Sequence, residues 1–135
     1  MKLKNIDIVN IINVLEQYSE KKLPQKISYA ITKNILILKE DYVCYEKELN
    51  KIFSIYDNDL QKDANGNYVC AQNGIPLAKD GCGDLLNRDI NDLLNIIVDV
   101  DLYKINSELF DYADFDGRYD VLSPKDIIIL QEIIC

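Results

Sequence analysis

Asp99 and Asp101 are the first residues in this chain whose type and spacing could do chemistry. In an extended segment, side chains two residues apart share one face and stand about 7 Å from each other. With Asp111 or Asp114 such a pair could hold a magnesium ion. The same residues also fit the wet side of a half-buried strand, because Val98, Val100 and Leu102 alternate with Asp99, Asp101 and Tyr103. Two other stretches approach a calcium loop. Asp114, Asp116 and Gly117 match its third, fifth and sixth positions, but Tyr112 and Ser123 stand where the first ligand and the bidentate acid belong. Asp63, Asn65 and Gly66 make a similar fragment flanked by Gln61 and Gln72. Both fragments read as turns built from small polar residues. Gly81-Cys82-Gly83-Asp84 precedes a helix but lacks the Lys-Ser/Thr pair of a phosphate loop. No metal and no cofactor is expected.

Histidine is absent from the sequence. That removes the commonest general base and metal ligand, and with it every Ser-His-Asp or Cys-His arrangement. The four cysteines, Cys44, Cys70, Cys82 and Cys135, form no Cys-x-x-Cys pair, so free thiols are expected rather than a closed zinc site. Catalysis would have to rest on carboxylate, lysine or tyrosine, and no further feature supports it. The chain reads as a non-enzyme.

The elements that must position these residues are legible from periodicity. Asn5 can cap a first helix to about Lys22, with Ile8, Ile11, Ile12, Leu15 and Tyr18 on one face. Leu23-Pro24 ends it, and Pro24 suits the first turn of a second helix. There Ile31, Ile35, Leu38, Tyr42, Tyr45, Leu49, Ile52 and Tyr56 are spaced alternately four and three residues apart, a continuous a/d seam. A helix from Pro24 to Tyr56 is about 50 Å long. The first helix is half as long, so the seam from Tyr42 onward must pack on the C-terminal region or on another chain.

Beyond Asp57 the pattern changes. Tyr68–Ala71 and Ile75–Leu77 flank Asn73-Gly74, a hairpin signal, and Pro76 places its strand at an edge. Asp84 can cap a helix to about Asn95 with Leu86, Ile90, Leu93 and Leu94 on one face. A strand follows over Val98–Leu102, and Ser107 starts a short helix. Ser123-Pro124-Lys125-Asp126 opens a last helix whose apolar residues, Ile127 to Leu130 with Ile133 and Ile134, are expected to be buried. No internal repeat is apparent. The expected fold is α+β: one domain, with a long helical hairpin over residues 1–56 packed with a small acidic α+β head over 57–135 that contains a β-hairpin.

Charge divides along the sequence. Residues 1–56 hold nine lysines and seven acids, whereas residues 57–135 hold six Lys/Arg and sixteen acids. An acidic half repels phosphates and anionic lipid surfaces, so neither direct nucleic-acid binding nor membrane binding is expected. No apolar stretch is long enough to span a bilayer and no signal-peptide core is present, which points to a cytoplasmic location. The candidate partner-binding residues are therefore the distal seam, Tyr42, Tyr45, Leu49, Ile52 and Tyr56, and the acids Asp99, Asp101, Asp111, Asp114, Asp116 and Asp120.

Several marks punctuate the chain: Met1-Lys2-Leu3 ahead of the first helix, then Lys22-Leu23-Pro24, Lys33-Asn34, Tyr45-Glu46-Lys47, Asn65-Gly66 and Asn91-Asp92-Leu93-Leu94. In these the sequence resembles a group of small uncharacterised proteins of Firmicutes phages and prophages. The resemblance implies a phage accessory protein and brings no site residues with it. The expected function is binding to a host protein, as an inhibitor of a bacterial defence system. The alternative is assembly or scaffolding of the phage particle through a homo-oligomeric helical interface along the seam.

Overall fold

The backbone N–H of Lys4 donates to the Asp7 carboxylate at 3.0 Å, and this closes the first turn of helix α1 (Asn5–Ser19). The cap is therefore Lys4, one residue before the expected Asn5, because an acid at the third helical position reaches back to the cap N–H. A computed structural model describes residues 1–112 and 117–135 of the chain. Helix α2 (Gln25–Ile55) follows, its first turn hydrogen-bonded to the carbonyl of Pro24, which stands just outside the helix. The chain is α+β, dominated by this long helix.

The described residues form two compact units. Unit 1 comprises Met1–Tyr42 and Ile97–Cys135, and unit 2 comprises Val43–Ile96. The boundary read from the sequence at Tyr56 is not where the chain divides. Residues 97–135 belong with the N-terminus because strand β1 (Lys2–Lys4) pairs antiparallel with strand β2 (Ile97–Asp99), Leu3 opposite Val98. The expected acidic head is thus shared between the two units. So is the charge: unit 1 has ten Lys/Arg against fourteen acids, unit 2 five against nine.

Unit 1 buries Ile8, Ile12, Leu15 and Tyr18 of α1 with Ile27, Ala30, Ile31 and Leu38 of α2. Val100, Leu102, Ile105 and Phe110 complete this core from the segment after β2, which includes a 3-10 turn over Ser107–Phe110. The alternation of Val98, Val100 and Leu102 is real, but the β ladder covers only its start. The last helix, α4 (Pro124–Ile129), carries the expected Ser123/Asp126 capping box. Burial of its apolar run is partial, contrary to expectation. Leu130 and Ile133 are buried, while Ile128 is 64% exposed, because six helical residues present only one stripe to the core.

Unit 2 joins the distal part of α2 to a turn-rich segment and helix α3 (Gly83–Leu94). Its core is Phe53, Leu60, Leu86 and Ile90, with Leu49, Ile52, Tyr56 and Ile75 against it. Between the helices run three tight turns, Asp63–Gly66, Ala71–Gly74 and Lys79–Cys82, each closed by an N–H to carbonyl bond of 2.9–3.1 Å. They begin eight residues apart. The stretches between them are tied in a ring: the N–H of Gln61 donates to Leu77, that of Leu77 to Val69, and that of Val69 to Gln61, at 2.8–3.0 Å. The expected Asn73-Gly74 hairpin is one side of this ring, with Cys70 bridged to Pro76. Gly66 and Gly74 have φ near +80°, as a type I turn with a glycine bulge requires.

Candidate functional site

The a/d seam of α2 is a covered surface. Ile31 and Leu38 lie in the core of unit 1, with Ile35 and Tyr42 packed on it. Tyr45 is 8% exposed, and Leu49, Ile52 and Tyr56 pack on the core of unit 2. One seam thus serves two cores, and α3 with residues 60–78 supplies the cover for its distal end. The candidate binding faces of Tyr42, Tyr45 and Leu49 are used within the chain.

Ile52 does reach a surface feature, and Tyr56 is bonded to one of its walls. In unit 2 a cleft of about 480 Å³ is lined by Glu48 and Ile52 from α2, Asp89, Asp92 and Leu93 from α3, and Ile96 just beyond it. Residues four apart on α2, and three and four apart on α3, fall on one side of each helix, which is why Glu48 and Ile52 meet Asp89, Asp92 and Leu93. Leu86, Ile90 and Leu93 make the buried stripe of α3, so Asp89 and Asp92 ride at its margin. Tyr56 Oη donates to Asp89 Oδ2 at 2.6 Å and fixes that carboxylate. The bond to Asp89 holds the Tyr56 phenol above its usual pKa, because ionising it would place two negative charges together.

The lining of this cleft contains three carboxylates and no cation. Two bases stand beside it. Arg88 Nε lies 3.8 Å from Asp89, and Lys51 Nζ lies 2.9 Å from Glu48. Both are well exposed, and pairs of that kind contribute about 0–1 kcal/mol, so a partner's cation can replace them. Ile96 is half exposed at 51% and forms an apolar lip. Chemically the cleft suits an apolar side chain flanked by Lys or Arg.

No family model matches this chain, and no curated protein and no solved structure is significantly similar to it.

Among the described residues, the acids singled out from the sequence are not brought together. Asp99 is exposed and sits 3.4 Å from the Met1 amine, while Asp101 and Asp111 point to solvent. Asp120 is a structural residue: its carboxylate accepts the N–H of Lys22 at 2.8 Å and its own N–H donates back to the Lys22 carbonyl at 2.7 Å. Asp114 and Asp116 lie outside the described residues. Among the described residues no group of three or more acids or cysteines is arranged to hold a metal ion, and no helix is long and apolar enough to cross a membrane. The sequence reading missed Glu48, Asp89, Asp92 and Ile96. The signal for them was the placing of Asp89 and Asp92 one residue before Ile90 and Leu93, at the edge of an apolar stripe.

A second groove, about 410 Å³, runs between α1 and the C-terminal segment. Its floor is Leu3, Leu15, Leu130 and Ile133, all members of the core, and its Asp7 is engaged in capping α1. It is a seam of the core, with less to offer a partner.

Proposed function

We propose that this chain is a non-enzymatic binding protein that takes up a basic, amphipathic segment of another protein in the α2–α3 cleft of unit 2. The observation that carries the reading is the lining itself: Glu48, Asp89 and Asp92 around Ile52, Leu93 and Ile96, without a cation. Apolar contact supplies the affinity, and complementary charge sets orientation and encounter rate. The absence of histidine favours binding over catalysis.

Taken with the resemblance to phage and prophage proteins, the partner is a host protein in the bacterial cytoplasm. The role is that of an accessory protein that inhibits a defence system. Proteins that handle nucleic acid hold phosphates on basic surfaces, and a carboxylate-lined apolar cleft competes for such surfaces. Particle assembly through the Tyr42-to-Tyr56 seam has less support, because those side chains pack within the chain.

The test is capture of host-lysate proteins on the tagged chain, in parallel with Asp89→Lys/Asp92→Lys and with Ile96→Asp. A protein held at one-to-one stoichiometry by the parent chain and lost from both variants supports the reading. A partner held equally by all three places the interface elsewhere and removes it.

A further inference from the structure

Asn34 is fully buried on α2, and its amide grips the backbone of one residue far along the chain. Nδ2 donates to the carbonyls of Tyr103 at 2.7 Å and Ala30 at 2.8 Å, and Oδ1 accepts the N–H of Tyr103 at 2.7 Å. The backbone of Tyr103 is thereby fixed from inside while the residue remains 42% exposed. Its ring meets that of Tyr29, itself 56% exposed, edge to face, with centroids 5.6 Å apart and planes at 73°. The two rings wall a cleft of about 440 Å³ in unit 1. Gln25, Lys26, Ile105 and Leu109 complete its lining, and no carboxylate is among them. Lys33 follows Tyr29 by one helical turn and Leu36, 60% exposed, by two, so cation and apolar surface continue along the same face. Neither Lys26 nor Lys33 forms an ion pair among the described residues.

We propose that the Tyr29–Tyr103 cleft is a second docking surface, which takes a short acidic protein segment carrying one apolar anchor. The perpendicular rings offer a face and an edge to an apolar side chain, and both phenols can donate to a peptide carbonyl or carboxylate. Lys26 and Lys33 complement acids that flank the anchor. A nucleic-acid strand would bring a charge with every nucleotide against a chain of net charge −8. A segment with two or three acids meets far less of that repulsion. The preference is opposite to that of the unit 2 cleft, and the two surfaces share no residue.

The test is selection of random short peptides displayed on a library against the full chain, followed by binding measurements on the Tyr29→Ala, Tyr103→Ala and Lys26→Glu variants. Expected are peptides with Asp or Glu around one apolar residue, bound roughly ten-fold more weakly by each variant. Tyr29→Phe should retain most of the affinity. The Asp89→Lys/Asp92→Lys variant should bind them as the parent does, so this proposal and the unit 2 reading fail separately. Enrichment of basic peptides, no enrichment, or acidic peptides bound equally by all variants would overturn it. So would oligothymidylate binding lost on Tyr29→Ala, which would make the rings a stacking platform, or self-association lost on that change, which would make the occupant a second copy.

Discussion

Asn34 and Tyr103 are joined by two hydrogen bonds of 2.7 Å that satisfy both backbone groups of Tyr103 with the two ends of one buried amide. The pairing ties α2 to the segment after β2 across 69 residues of sequence. It acts as a strand partner would, in a place where no strand is available.

Replacing Asn34 by alanine leaves the Tyr103 N–H and carbonyl without their partner next to an apolar core. The expected loss is about 2–4 kcal/mol, since unsatisfied buried polar groups cost more than an average hydrogen bond contributes. Urea unfolding of Asn34→Ala measures it. In the same variant the ring-to-ring nuclear Overhauser contacts between Tyr29 and Tyr103 should weaken. Unchanged stability would mean that water replaces the amide without cost.

Gly74 holds φ at +81°, and a Cβ added there meets nothing within 4 Å. The cost of a side chain is therefore purely that of the left-handed backbone, about 1–2 kcal/mol for alanine. Asparagine tolerates this region better, whereas a β-branched residue does not. Urea midpoints should fall in the order parent, Gly74→Asn, Gly74→Ala, Gly74→Val. Equal midpoints would show that the turn is not held in this conformation.

Tyr18 Oη donates to Asp126 Oδ1 at 2.6 Å, and the pair gives stability a definite pH dependence. Burial first, then the bond to Asp126, pushes the Tyr18 pKa up to about 12. A phenol raised in the folded state contributes stability that is complete below its unfolded value of about 10 and lost as pH rises towards 12. Asp126 moves the other way, lowered by Tyr18 and then by the Ser123 backbone and side chain. Its contribution is present above the ordinary carboxylate range and is lost as pH falls through its lowered value. Tyr18→Phe should therefore flatten the fall in stability between pH 10 and about 12, and Asp126→Asn should flatten the fall in acid. Unaltered slopes in either variant would contradict the pairing.

The long helices, α3 and the capped α4 were legible because each is announced by a 3.6-residue apolar period or a capping sequence. So was the need for the distal seam of α2 to find a cover. The division into units was not legible, because it depends on Leu3 meeting Val98, and a three-residue strand such as β1 has no periodicity of its own. The threefold ring of turns was hidden for a different reason. The equivalent residues Gln61, Val69 and Leu77 share no side-chain character, since the ring is made by backbone groups alone. Only Asn65-Gly66 and Asn73-Gly74 repeat in sequence. Of the candidate site, Ile52 and Tyr56 were anticipated from the seam. Its carboxylates were not, because overall acidity drew attention to the crowded run after Asp99 instead of to the margin of α3.

The central claim, that the α2–α3 cleft accepts basic amphipathic segments, is tested most directly by methyl and amide NMR of the chain titrated with a helical Lys/Leu peptide. The account predicts saturable shifts at Ile52, Leu93 and Ile96, abolished in Asp89→Lys/Asp92→Lys, with Leu36 unmoved. Shifts spread over the whole acidic surface, or surviving the charge reversal at these three residues, would contradict it.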